Sequence, residues 1–142
     1  MMDEISIEIT GVQELIAKLD AAKRPEPLKK GMNFAAGNLV RWIRTNRLTG
    51  PRPLYLEVVS GILRTSISFA PTVKSGDVYT TRIGTNVEYA PIHEFGGFAG
   101  RNRKVFIRAR PFLRPSIEDE GNKKMILEEI VFQLDKAIKE AK

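Results

Sequence analysis

No cysteine occurs in the 142 residues, and histidine and tryptophan occur once each. The missing cysteine excludes a disulfide framework, a thiol nucleophile and thiolate metal sites. One histidine falls short of the multi-histidine sets common in hydrolytic zinc sites. Long apolar runs are missing too: none approaches the roughly 18 residues that cross a bilayer. The opening MMDEISIEIT is acidic and lacks the apolar core of a secretory signal. No membrane partner is therefore expected. Walker A, Rossmann, HExxH and GxSxG signatures are all absent, so no cofactor is expected either.

What is present suits one globular domain. The hydrophobic fraction is 42% and the charged fraction 28%, enough for a packed core at this length. The net charge is +6, which favours contact with an acidic partner or nucleic acid. Its distribution is uneven. Between Glu94 and Glu118 there is no acidic residue, while Arg101, Arg103, Lys104, Arg108, Arg110 and Arg114 fall there. Arg41, Arg44, Arg47 and Arg52 form a second basic set upstream.

Periodicity predicts an α+β fold. Ile5, Ile7 and Ile9 alternate with polar residues, as in a half-buried strand. Thr10 with Gln13 reads as a capping box for a first helix from about Gly11 to Lys23. RPEP interrupts it, and Pro27 suits the first turn of a second helix ending near Asn46. Arg47–Glu57 reads as an exposed loop, and SGILRTS as a short helical turn. Ile67, Phe69 and Val73 are expected on one face of a strand that Pro71 confines to an edge or bulge. KSGD is a turn, and Tyr79, Thr81 and Ile83 mark the returning strand. VFI at 105–107 reads as a short strand. Pro111 opens a helical region that Gly121 divides. Leu127, Ile130, Val131, Leu134, Ala137, Ile138 and Ala141 then form an apolar stripe. The expected architecture is a small antiparallel sheet, N-terminal strand plus hairpin, packed against two N-terminal helices and a long C-terminal helix. Trp42, Leu39, Ile83, Tyr89, Phe95, Phe112, Leu127 and Leu134 are expected in the core.

His93 and Glu94, adjacent in VEYAPIHEFGG, are the only residues that invite a catalytic reading. A His–Glu pair could move a proton or hold part of a metal, yet no nucleophile or further ligand accompanies it. The structural reading has Tyr89, Ile92 and Phe95 packing inward, with His93 and Glu94 facing solvent or capping nearby backbone. Gly96 and Gly97 would end the turn at positive φ.

IGTNVEYAPIHEFGG, a basic insertion, and RARPFLRPSIEDE follow one another in this order. The combination resembles the small phage proteins of the virion-morphogenesis and tail-completion class, including Mu-type members and related minor tail components. The matching segments are Ile83–Thr85, Tyr89–Gly97, Gly97–Lys104 and Ala109–Leu113, with Leu63–Ile67 upstream. FLRPS departs from the Mu-type pattern, where a glycine more often follows the leucine. The resemblance implies a structural protein without catalytic residues, made in the bacterial cytoplasm and built into the particle near the tail end or head–tail joint. Its implied partners are phage tail or connector proteins and further copies of itself in a ring. On this reading Arg101, Arg103, Lys104, Arg108 and Arg52 are assembly contacts. Tyr89, His93, Phe95, Gly96, Gly97, Arg110, Pro111 and Phe112 build one structural corner, with Phe112 and Leu113 in the first turn of a helix. Two readings compete: a small basic nucleic-acid-binding module, and a metal-dependent nuclease using His93 and Glu94.

Overall fold

A computed structural model describes residues 3–9, 26–50 and 61–140. The helix expected over Gly11–Lys23, and Arg52, lie outside the described residues. The fold is α+β. Its elements in chain order are β1 (Asp3–Ile9), α1 (Glu26–Asn46), α2 (Ile62–Ser66), β2 (Ser68–Ser75), β3 (Val78–Thr85), α3 (Ala90–Phe95), β4 (Gly97–Ala99), a 3-10 turn (Arg101–Arg103), β5 (Val105–Ile107), α4 (Arg114–Glu118) and α5 (Glu120–Glu140).

Helix α1 is the central element. Pro27 sits in its first turn, where a missing N–H costs nothing. Leu28, Met32, Ala35, Leu39 and Ile43 are buried along it, and so are Gly31, Ala36 and Val40. Two faces are therefore covered. One packs on β2 and β3, the other on α5. At the α5 contact a Cβ on Gly31 would stand 3.0 Å from Ile130 Cα, so glycine sets the approach of the two helices. Trp42 is only partly buried at the core's margin, and Arg47 lies over its ring at 5.6 Å.

The sheet is antiparallel in the order β1-β3-β2. Tyr79, Thr81, Ile83 and Thr85 point alternately into the core from β3, the period expected of a half-buried strand. Gly76, at φ 59°, turns the hairpin between Ser75 and Val78. Strand β2 does not keep its alternation. The pairing slips between Ala70 and Val73, a bulge at Pro71 on an edge strand, where proline is tolerated. The extra residue reverses the faces beyond it. Thr72 is buried, while Val73 is 61% exposed instead of sharing a face with Ile67. Thr72 donates through its N–H (2.9 Å) and hydroxyl (2.8 Å) to Asn33 Oδ1, tying the bulge to α1.

The C-terminal stripe lies one position round from its expected place. Ile126, Ile130, Gln133 and Leu134 face the core, and Leu127 is 57% exposed. Successive helix positions are about 100° apart, so a face led by Ile126 turns Leu127 and Val131 outward. The division of this region falls at Asp119, whose backbone is extended, and not at Gly121. Asp119 Oδ1 accepts the Asn122 amide at 2.9 Å and caps α5.

Candidate functional site

Strand β3 ends in a set of hydroxyl contacts. The Thr85 and Ser66 hydroxyls are 2.5 Å apart, and Thr85 Oγ1 also accepts the Val87 amide at 3.2 Å. The chain then enters α3. On a helix of six residues, Ala90 and Glu94 are one turn apart and share the inward face. Glu94 is only 5% exposed. Its Oε2 accepts the amides of Phe112 (2.7 Å) and Leu113 (3.0 Å), and its Oε1 accepts that of Arg114 (2.9 Å). These amides lie at the start of α4 and have no partner within that helix. A buried carboxylate is tolerated because three donors replace its water.

Backbone bonds close the same corner. The Arg110 amide donates to the His93 carbonyl at 2.7 Å, and the Gly96 amide to that of Ile92 at 2.8 Å. Gly96 has φ 73°, and a Cβ there would stand 2.8 Å from the Ala109 nitrogen and 3.0 Å from the Ile107 oxygen. Only glycine fits. Gly97, at φ 142°, begins the strand that leaves the corner. Phe112 and Leu113 are fully buried beneath it. The two sequence motifs thus meet as one corner, and Glu94 is the side chain that joins them.

Several expected details differ. Tyr89 is 43% and Phe95 62% exposed, not packed inward, because the inward face of so short a helix is filled by Ala90 and Glu94. Phe112 precedes α4 instead of standing in its first turn, and Leu113 is its N-cap. The helical region starts at Arg114, three residues after the exposed Pro111. The His93 ring meets Tyr89 edge-on at 5.8 Å. Both Glu94 oxygens receive backbone amides, so the carboxylate serves as a cap. Among the described residues no three His, Asp or Glu side chains are grouped to hold a metal. No helix among them is long and apolar enough to cross a membrane.

From the corner projects a ribbon. Strands β4 and β5 pair through Gly97 with Ile107, Phe98 with Phe106, and Ala99 with Val105. Phe98, Val105 and Phe106 are exposed, and the two phenyl rings meet at 5.3 Å. Arg101 and Arg103 occupy the turn at the tip, followed by Lys104, and Arg108 lies just beyond β5. All four cations are exposed. Arg110 is half-buried at the base.

A family model described as the phage virion morphogenesis family matches residues 42–134, from α1 through the hairpin, corner and ribbon into α5. The chain belongs to the phage virion morphogenesis family. It is also similar to the Mu-like prophage FluMu G protein 2 of Haemophilus influenzae, 37% identical over 140 residues, covering 92% of this chain and 97% of that protein. No solved structure matches the chain. Membership of a virion morphogenesis family supports a structural role in phage assembly.

Proposed function

We propose that the protein acts in tail completion or head–tail joining as one subunit of a ring, and that the β4–β5 ribbon is its assembly arm. The observation that carries this reading is the ribbon itself. A rigid, internally capped corner holds out exposed phenyl rings and four cations that a monomer has no use for. A ring needs two unlike patches that meet between neighbours. The opposing patch runs from the end of α4 along α5. Glu118 is exposed there, and Glu120, Leu127 and Val131 recur at spacings that align them on one outward face. Of the acidic cluster, Asp119 is occupied as a cap, and Glu120 holds Lys123 at 2.8 Å on the surface. Glu118 and the apolar side chains beyond it are the better match for a basic, aromatic arm. Charge sets the register of such a contact more than its strength.

The test is made in a phage that carries the gene. Deleting the gene leaves DNA packaging largely intact and gives unjoined or misassembled tails in the electron microscope. Changing Arg101, Arg103 and Lys104 together to glutamate gives a folded protein with the same defect. Normal infectious particles from either strain exclude the proposal. Salt-sensitive binding to bare duplex DNA at physiological ionic strength would instead favour a nucleic-acid role for the arm.

A further inference from the structure

Between the sheet and α5 a strip of the α1 surface is left open by the other described elements. Three concavities adjoin along it, of about 520, 350 and 440 Å³. The first two share Asn33 and Phe34, and the last two share Gly37, Arg41 and Phe69. They make one furrow from Lys30 to Arg44, about 21 Å at the helical rise of 1.5 Å per residue. None of its lining residues belongs to the arm or to the outward face of α5 used above.

The middle of the furrow is apolar. Phe34 is 50% exposed on the helix surface, Phe69 rises beside it from β2, and Gly37 leaves the space between them open. A Cβ on Gly37 would touch only Phe69 Cε1, at an ordinary 3.6 Å. The ends are charged. At one, Lys29, Lys30 and Lys136 stand with Glu26 and Glu140; the other is basic, with Arg41 and Arg64, and neither arginine forms an ion pair among the described residues. Arg44 is occupied, donating to the Thr65 and Ile67 carbonyls. Apolar floor with a charged rim is the make-up of a protein-binding surface. A nucleic acid would present phosphates evenly along its length, but here the cations are parted by an apolar stretch.

We propose that this furrow docks an acidic segment of a partner protein in the particle. The segment's apolar side chains cover Phe34 and Phe69, and its carboxylates meet Arg41 and Arg64. That the partner is a protein of the particle rests on the assembly role proposed above. The chemistry of the furrow does not, and it is tested apart from any particle.

The experiment is a titration of the full-length, 15N-labelled protein with four defined probes, followed by NMR. They are a twelve-residue peptide of alternating Glu and Leu, the same peptide with Lys for Glu, the same with Ser for Leu, and a twelve-nucleotide oligothymidylate. Saturable shifts with the Glu–Leu peptide are expected at Asn33, Phe34, Gly37, Arg41 and Phe69. The Lys–Leu and Glu–Ser peptides bind at least tenfold more weakly. Arg41→Glu with Arg64→Glu weakens the Glu–Leu peptide at least tenfold. Gly37→Leu, which fills the furrow without disturbing the core, does the same. Absence of saturable binding, shifts centred on the arm, or equal binding of the Lys–Leu peptide overturns the proposal. Tighter binding of oligothymidylate at the same residues overturns it in favour of a nucleic-acid groove. Defective particles from arm variants with an unresponsive furrow would sink this inference alone. Peptide binding with normal particles from the arm variants would sink the assembly role alone.

Discussion

At the scale of single residues, Glu94 decides how the corner should be read. Next to the only histidine it invites a proton-transfer role, yet its two oxygens take three backbone amides. Removing them would strand donors in a buried place, each costing roughly 1–3 kcal/mol. Glu94→Ala is therefore expected to destabilise the fold by about 3 kcal/mol or more. Glu94→Gln keeps the shape but turns one end into a donor facing a donor, so it should fall between. Urea unfolding of the three proteins checks this, and an unchanged midpoint for Glu94→Ala would contradict the corner. His93→Ala leaves the 2.7 Å bond to its carbonyl in place, so a smaller loss is expected. The corner's existence was legible in its glycines and in the paired motifs. The inward residue was not, because apolarity favours Tyr89 and Phe95 over a carboxylate for burial. Only the approach of three unpaired amides makes Glu94 the better occupant, and those amides lie about twenty positions further along the chain.

At the scale of elements, the period of each segment was readable, and its phase was readable for β3 and α1 but not for the end of β2 or for α5. Alternation identified β3, and three- and four-residue spacing identified α1 and α5. The bulge at Pro71 then inverted the end of β2, and contact with α1 turned α5 by one position. The bulge was signalled locally by Pro71, though not the change of face beyond it; the turn of α5 comes from its partner, which local spacing does not contain. The two glycines of α1 make the point measurable. A helix gains up to about 1 kcal/mol when alanine replaces an interior glycine. Gly37→Ala, with only a 3.6 Å contact to Phe69, should realise much of that gain. Gly31→Ala meets the backbone of α5 at 3.0 Å, and overpacking costs about 1–3 kcal/mol. Gly31→Ala should thus be clearly less stable than Gly37→Ala, and equal melting temperatures would show that α1 and α5 do not approach as described. The β4–β5 ribbon differs from the main sheet in having three paired positions and no covering layer among the described residues. Two-stranded ribbons of this kind are marginal alone. Amides of 97–107 should exchange much faster than those of β3 in the free protein and slow on assembly. Equal protection of both in the free protein would deny the ribbon the mobility expected of an unpartnered arm.

At the scale of the whole molecule, seven of the exposed apolar side chains fall into three separate groups. Phe98, Val105 and Phe106 line the arm, Leu127 and Val131 line α5, and Phe34 with Phe69 floors the α1 furrow. Single exposed apolar residues need no explanation, but contiguous groups mark contact sites. If the first two groups meet between copies, each subunit carries one half of two interfaces, and mixing defective halves has a distinctive result. A subunit with Phe98→Ser and Phe106→Ser keeps its α5 patch and has no arm. One with Leu127→Ser and Val131→Ser keeps its arm and has no patch. Alone, neither should associate. Together they have one working interface and none to continue from, so they should stop at a dimer while the unaltered protein assembles further at the same concentration. Because cations at the arm tip contribute to the contact, raising salt from about 0.05 to 0.5 M, which shortens the screening length by roughly threefold, should weaken both products. Analytical ultracentrifugation separates the cases. Dimers of either altered protein alone would mean that like patches meet and that the arm does not dock on α5, and rings or larger species from the mixture would require a further interface. Two monomers at concentrations where the unaltered protein associates would place the interface elsewhere on the molecule.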